Sequence, residues 1–411
     1  MRHLISPLIS HPPNIIKQLS SPIFKYLFKW GFFVSKEIAT QHDKDLLFLQ
    51  EALELAKQGY GRVSPNPYVG ALLVKNNQII GRGFHQAAGK AHAEVMAVED
   101  ALKNGQDLQG ATLYVTLEPC CFHGKTPACT DLILRTGITR VVTAMEDPNP
   151  SVSGKGHEIL RSAGIEVCAH LLPKAGHRLI RYFVTNQLHQ RPFVTLKAAL
   201  SLDGKLATQT KDSQWITGSE ARKLGHYYRG LHDAILVGKG TLLQDDPALN
   251  VRYGYDTKAP VRIALFNDFL GITTEIIEQY QFFNTELAPS IICYCEDQAP
   301  SSELRACIIE KGVELVPLAS TAPKELLDYC FNVGIMSLFI EGGAGIYDAF
   351  IQADLVDEFL LFYGPKLIGN PHALELWESS PIKNLNEAPL VKIESVEMCG
   401  ESFLTIATRR R

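Results

Sequence analysis

The sequence predicts two α/β domains in tandem behind a short basic extension, and three observations carry that prediction. The chain has 411 residues, enough for two ordinary cores. From Asp43 to His170 short apolar runs alternate with amphipathic ones, the pattern of strands and helices stacked in layers. After LHQRPFV, with Pro192 beside the start of a strand, a second series of the same kind begins. The boundaries expected are 1–43 for the extension, 44–188 for the first domain and 189–411 for the second.

In the first domain, Asp43 is the expected cap of a helix through DLLFLQEALELAKQGYG, which ends at glycine. VGALLVK and QIIGRGFHQ, joined by Asn76-Asn77, read as a hairpin. HAEVMAVEDALKNG is a helix and ATLYVTLEP a buried strand. TDLILRTG, TRVVTAM and GKGHEILRSAGIEVCAH continue the alternation. In the second domain VTLKAAL is a strand, SEARKLGHYYRGLH a helix, DAILVG a strand and QDDPALNVR a long polar loop. VRIALF, SIICYC and VELVPL are further strands, and SLFIEGGAGIYDAFI is a strand, a glycine turn and a helix. LVDEFLLFYGPKLIG and ESFLTIATR close the chain as strands.

The 46% hydrophobic and 20% charged composition is that of a folded globular chain. A net charge of −4 argues against a nucleic-acid partner. Nine cysteines make no disulfide framework: Cys120, Cys121 and Cys129 cluster, and the rest lie scattered in apolar surroundings, as in a reducing compartment. The extension carries Arg2, Lys17, Lys25, Lys29 and Lys36, and its apolar patch PIFKYLFKWGFFV is too short and too basic for stable membrane insertion. It reads as a poorly ordered extension, with an organelle transit peptide as the alternative. A cytoplasmic location is therefore expected, or an organelle stroma under that alternative.

The chemistry concentrates in AHAEVM and EPCCFHGKTPAC. A catalytic zinc takes three protein ligands from Cys and His and keeps one position for water. His92 opens a helix, and cysteines 120 and 129 flank a loop between a strand and the next helix. HAE followed by PC and a later cysteine is the arrangement of zinc deaminases that act on nucleobases, in which the glutamate moves protons and is not a ligand. The usual spacing is PCxxC, whereas here residue 123 is histidine and the third cysteine is Cys129.

That longer loop, CCFHGKTPAC, resembles one branch of the superfamily, the bifunctional riboflavin-pathway deaminase–reductases. The resemblance implies a cytidine-deaminase-like three-layer α/β first domain, with His92, Cys120 and Cys129 on zinc, Glu94 as general acid/base and Cys121 a bystander. It also implies substrate contacts from Asn66 in SPNP, with Val69-Gly70 against the pyrimidine ring, from Lys125 in HGKT, and from Asp147 and Asn149 in DPNP. His85 and Gly89 stand at family positions. One departure is Phe122, where the family usually has histidine; His123 follows it.

No GxGxxG follows a strand in the second half. Its motifs, VTLKAALSLDGKLAT, SQWITGSEAR, DAILVGKGTLLQDDPALNVR and FIEGGAGIYDAF, resemble the reductase half of the same family, dihydrofolate-reductase-like in fold. The resemblance implies that Ser213, Arg229, Leu249, Arg252 and Glu341 meet the substrate, the two arginines gripping its phosphate bidentately. Ala199, Trp215, Thr241, Asp245, Gly342, Gly343 and Ala344 are implied at NADPH, with Lys197 and Glu341 near the reduced carbon. The glycines of EGGAG suit close approach of a pyrophosphate to the next helix.

The implied activity is zinc-dependent deamination of a phosphorylated diaminopyrimidinone followed by NADPH-dependent reduction of its ribosyl group, in a homo-oligomer acting on a small molecule. The alternatives are a deaminase of another substrate with an accessory second half, a binding protein with a structural zinc, and a pathway enzyme that has lost its second activity.

Overall fold

The structure, a computed structural model, describes residues 40–122, 127–380 and 382–410. The expectations for the basic extension, His123 and Lys125 lie outside these residues. Residues 45–411 form one compact unit.

The first helix, Gln41–Ala56, starts two residues before its expected cap. Asp43 sits in the first turn, and its backbone N–H donates to the Thr40 hydroxyl at 3.4 Å, so threonine takes the capping role. Five strands follow: β1 Gly70–Lys75, β2 Gln78–Phe84, β3 Thr112–Val115, β4 Arg140–Thr143 and β5 Glu166–Cys168. Their order across the sheet is β2-β1-β3-β4-β5. The hairpin β1–β2 turns at Asn76 and Asn77, both with positive φ (53° and 60°), as a two-residue primed turn demands.

Alternation along each strand sorts the core into two layers. Leu73, Leu113, Val115 and Val141 face one side, against Ala93, Ala97 and Ala101 of the helix Ala93–Lys103. Leu72, Tyr114 and Val142 face the other, against Leu49 and Ala52 of the first helix. Each fully buried leucine contributes roughly 1.5–3 kcal/mol. On this second face Asp45 accepts from Tyr114 Oη at 2.7 Å and from both Nη atoms of Arg140 at 2.8 and 2.7 Å.

Glycines set how closely the helices lie. A Cβ on Gly83 would collide with the carbonyl oxygen of Ala93, and one on Gly70 with that of Ala52. Gly70 is thus required by helix packing, a reason different from the ring contact expected of it.

The second sheet runs β11-β10-β9-β8-β12-β6-β13-β16-β15. Its strands are β6 Phe193–Leu200, β8 Ala234–Gly238, β9 Val261–Phe266, β10 Ser290–Cys295, β11 Glu314–Leu318, β12 Ser337–Gly342, β13 Glu358–Tyr363, β15 Val391–Cys399 and β16 Ser402–Arg409. The small β7 Lys205–Ala207 pairs with β14 Leu374–Glu375. Pairing is parallel from β11 through β13 and antiparallel for the last two strands. Both faces are covered, Ala234 and Leu236 packing on one side and Ile235 and Val237 on the other. A short helix, Lys239–Asp245, precedes the polar loop. Among the described residues no helix is long and apolar enough to cross a membrane.

Candidate active sites

The first site gathers at one end of the five-stranded sheet. His92 caps the helix Ala93–Lys103, which places Glu94 in its first turn. Cys129 opens the helix Cys129–Arg135. One ligand atom each from His92, Cys120 and Cys129 lie within 4.8 Å of one another. His92 Nδ1 is 3.3 Å from Cys129 Sγ and 3.5 Å from Cys120 Sγ. The backbone N–H of Cys129 donates to Cys120 Sγ at 3.3 Å. Hydrogen bonding to Cys129 lowers the Cys120 thiol well below the usual cysteine range, against the opposing effect of burial and with help from His92. Two thiols and an imidazole at this spacing fit a zinc ion with room for a fourth ligand. Glu94 is 4% exposed, and burial raises its carboxyl above the usual range, as suits a group that must both hold and release a proton.

Asn66 reaches this site through His85. Its Nδ2 lies 3.0 Å from His85 Nε2, whose ring is 5.8 Å from that of His92. His85 Nδ1 meets the Ala91 carbonyl at 3.0 Å, so a neutral ring with its proton on Nδ1 satisfies both contacts. Asp147 and Asn149 form successive turns: Asp147 Oδ1 accepts from Asn149 N–H at 2.9 Å, and Asn149 Oδ1 from Ser151 N–H at 3.0 Å. Burial raises the Asp147 carboxyl to about 6. Phe122 stands 53% exposed.

A residue that sequence reasoning missed pins this loop. Glu118, almost fully buried, accepts from the N–H groups of Asp147, Gly154, Gly156 and His157 at 3.1, 2.9, 2.8 and 3.3 Å. It thereby ties the strand leading to Cys120 to the whole 147–157 segment. Gly156 belongs to the same device, since a Cβ there would strike the Pro119 carbonyl. Its position in EPC was the one available signal.

The second site is a cleft of about 960 Å³ at the ends of β6, β8 and β12, the size of a small-ligand pocket. Lys197, Ala199, Ser213 and Trp215 line one part of it, and Arg229, Leu249 and Arg252 another. Thr241, Asp245, Glu341 and the turn Gly342–Ala344 complete the wall. Gly343, at φ 93°, begins the helix Ala344–Gln352, and a Cβ on Gly342 would press on Thr241 at 3.0 Å. Gly342 therefore lets the turn pack closely on Thr241, and the turn lines the cleft at a helix N-terminus, a position that suits an anion. Trp215 is 57% exposed, with the Arg222 guanidinium 4.5 Å from its ring centroid, and so belongs to the cleft and not the core. Burial raises the Asp245 carboxyl.

Arg229 departs from expectation. Its Nε and Nη2 donate to the two oxygens of Glu341 at 2.6 and 2.7 Å, and Nη1 donates to the Asn250 carbonyl at 2.6 Å. The fork expected to grip phosphate is engaged by a carboxylate. Arg252 is exposed and meets His226 Nε2 at 3.2 Å through Nη2. Burial would raise the Glu341 carboxyl, but Arg229 and Lys197 outweigh it and bring it to about 2. Burial lowers Lys197, with Glu341 opposing. His226 is lowered to about 4 by burial and by Arg229 and Arg252, and stays neutral beside them. Beneath the cleft, Arg262 is wholly buried and donates to the carbonyls of Ala248, Gln281, Asn284 and Ala288 at 3.2, 2.8, 2.7 and 2.8 Å. It fixes the start of the loop that presents Leu249.

The family model for the cytidine and deoxycytidylate deaminase zinc-binding region matches residues 42–145, and that for the RibD C-terminal domain matches residues 192–405. The riboflavin biosynthesis protein RibD of Aquifex aeolicus is 41% identical over 365 residues, covering 89% of this chain and 98% of that protein. RibD of Escherichia coli is 35% identical, covering 87% and 97%. The crystal structure of a diaminohydroxyphosphoribosylaminopyrimidine deaminase/5-amino-6-(5-phosphoribosylamino)uracil reductase from Thermotoga maritima superposes with a TM-score of 0.80 at 38% identity, covering 90% of this chain and 100% of that one. Acinetobacter baumannii RibD gives 0.78 at 32% identity, with the same coverage. A zinc-deaminase half joined to a reductase half that implies a nucleotide cofactor, matched nearly end to end, places this chain in the RibD family of riboflavin biosynthesis proteins.

Proposed function

We propose that residues 44–188 deaminate 2,5-diamino-6-ribosylamino-4-pyrimidinone 5′-phosphate and that residues 189–411 reduce the product with NADPH. The observation that carries this reading is the convergence of each half's expected residues on its own site, the zinc triad beside Glu94 and the cleft around Lys197 and Glu341.

In the first half His92, Cys120 and Cys129 would hold zinc, which when bound would activate a water for hydrolysis. Glu94 would take a proton from the attacking water and return protons to the ring and to the departing amine. The amino group at C2 leaves as ammonia and a carbonyl replaces it. Asn66, oriented by His85, hydrogen-bonds the pyrimidine. Asp147 and Asn149 close the other side, and Lys125 meets the phosphate.

In the second half Ala199, Trp215, Thr241, Asp245 and the Gly342–Ala344 turn would hold NADPH, which when bound would supply the hydride for reduction at C1′ of the opened ribose. Lys197 would supply a proton to the oxygen released by ring opening. Glu341 holds Arg229 and Lys197 in position. Arg252, with Ser213 and Leu249, takes the substrate's phosphoribosyl end.

The fit of zinc, the acidic net charge and the two small-molecule sites favour a metabolite over a nucleic acid as substrate. A homo-oligomer in the cytoplasm, or in an organelle stroma if the extension is a transit peptide, completes the proposal. The test is a coupled assay that follows ammonia and NADPH absorbance with the diaminopyrimidinone phosphate. Ammonia followed by NADPH loss is expected; neither signal from zinc-loaded protein would overturn the substrate assignment.

A further inference from the structure

A second cluster of metal-ligating side chains lies in the first domain, outside the zinc triad. Glu146, His157 and His170 each bring one ligand atom within 4.8 Å of the others. They come from three separate segments: the chain after β4, the helix Lys155–Ser162 and the chain after β5.

His157 carries the argument. The residue is 1% exposed, and its Nδ1 has no hydrogen-bond partner among the described residues. A buried polar atom left unpaired costs about 1–3 kcal/mol, and it calls for a ligand to explain it. The other ring nitrogen, Nε2, meets the buried Thr143 hydroxyl at 3.0 Å. That is the outer contact which orients a metal-binding imidazole and directs its remaining nitrogen at the ion.

The partners are poised for the same role. His170 Nε2 lies 2.9 Å from Glu146 Oε1, and its ring centroid is 5.9 Å from that of His157. His170 adopts a left-handed backbone, φ 60°. Two imidazoles and one carboxylate, with an exposed edge for water, suit a borderline dication of the zinc class better than calcium or magnesium.

We propose that Glu146, His157 and His170 form a second metal site, separate from the catalytic zinc and taking Zn²⁺ or a similar transition-metal dication. Ser153 Oγ also donates to Glu146, at 3.2 Å. An ion there would therefore brace both ends of the 147–153 loop.

The full chain, already holding one equivalent of zinc, is titrated with Co²⁺. The expected result is a second equivalent whose visible spectrum lacks a thiolate-to-cobalt charge-transfer band, because its donors are nitrogen and oxygen. His170→Asn, chosen because asparagine tolerates the left-handed backbone, weakens that second equivalent at least about tenfold. The first zinc and the basal deamination rate stay unchanged. Glu146→Gln is the second variant and gives the same loss. Saturation without a second equivalent, a second equivalent bound equally by both variants, or a thiolate band overturns the proposal.

Discussion

Glu341 grips Arg229 through both oxygens, at 2.6 and 2.7 Å, in a part of the cleft where both side chains are nearly buried. The pair holds Arg229 in the cleft wall, and Glu341 supplies counter-charge to the half-buried Lys197.

Breaking the pair has a predictable cost. Glu341→Gln leaves two largely buried cations without their carboxylate, a change that approaches the cost of breaking a buried pair, about 3–5 kcal/mol. Reduction should fall to background while ammonia release by the zinc half survives at temperatures where the chain is folded. The same pair sets an acid limit. The Glu341 carboxyl is near 2 in the fold, below its ordinary value of about 4.3. Its stabilisation is present above that ordinary value and is lost as pH falls toward 2. Acid unfolding followed by fluorescence should therefore begin at higher pH in Glu341→Gln.

Glu94→Gln separates binding from chemistry. Zinc content should stay at one equivalent in the triad, while deamination drops about 10²–10⁴-fold. Reduction of already deaminated substrate should be unaffected. Chelation should give the same split in rates with zinc lost, so metal analysis tells the two apart.

Asp147 works in the opposite sense from Glu341. Its carboxyl is raised to about 6 by burial, so its contribution to stability is full below the ordinary aspartate value and is lost as pH rises through 6. Asp147→Asn should therefore melt higher than the parent protein at pH 7 to 8, with the difference vanishing near pH 4. Deamination should weaken in that variant even as stability improves, a trade common at functional sites.

Gly83→Ala tests how the zinc triad is placed. The new methyl would push against the Ala93 carbonyl, at the start of the helix that His92 caps and that carries Glu94. A cost of about 1–3 kcal/mol is expected, with weaker zinc retention in dialysis and an unchanged reductase.

His92, Glu94, Cys120 and Cys129 were legible because each falls in a short motif at a strand or helix end, where local sequence decides direction. Glu118 was not, because its four N–H partners arrive from a segment about thirty residues later and only the folded sheet brings them together. Arg262 hid inside VRIALF for a similar reason. An apolar run reads as a buried strand, and nothing in it announces that four carbonyls will surround a guanidinium. Arg229 and Glu341 were both expected at this site, but their pairing was not legible, since it crosses 112 positions of sequence. The edge strand Val391–Cys399 escaped notice because most of its side chains stay exposed and show no core-facing stripe. The short helix Lys239–Asp245 received no assignment between the strand and the polar loop, lacking an apolar face of useful length.

The two halves also share a seam whose effect reaches past either site. Lys258 N–H donates to the Gly61 carbonyl at 3.0 Å, Arg62 pairs with Asp256 at 2.7 Å, and Lys258 Nζ reaches the Ser64 carbonyl at 3.4 Å. Residues 256–258 follow directly on the stretch that presents Leu249 and Arg252 to the reductase cleft, and 61–64 lead straight to Asn66. A chain divided near position 190 would thus give a free-standing deaminase whose 61–66 loop had lost its backing. Gene fusion here would then be more than a convenience of co-expression, because each half completes the scaffold of the other.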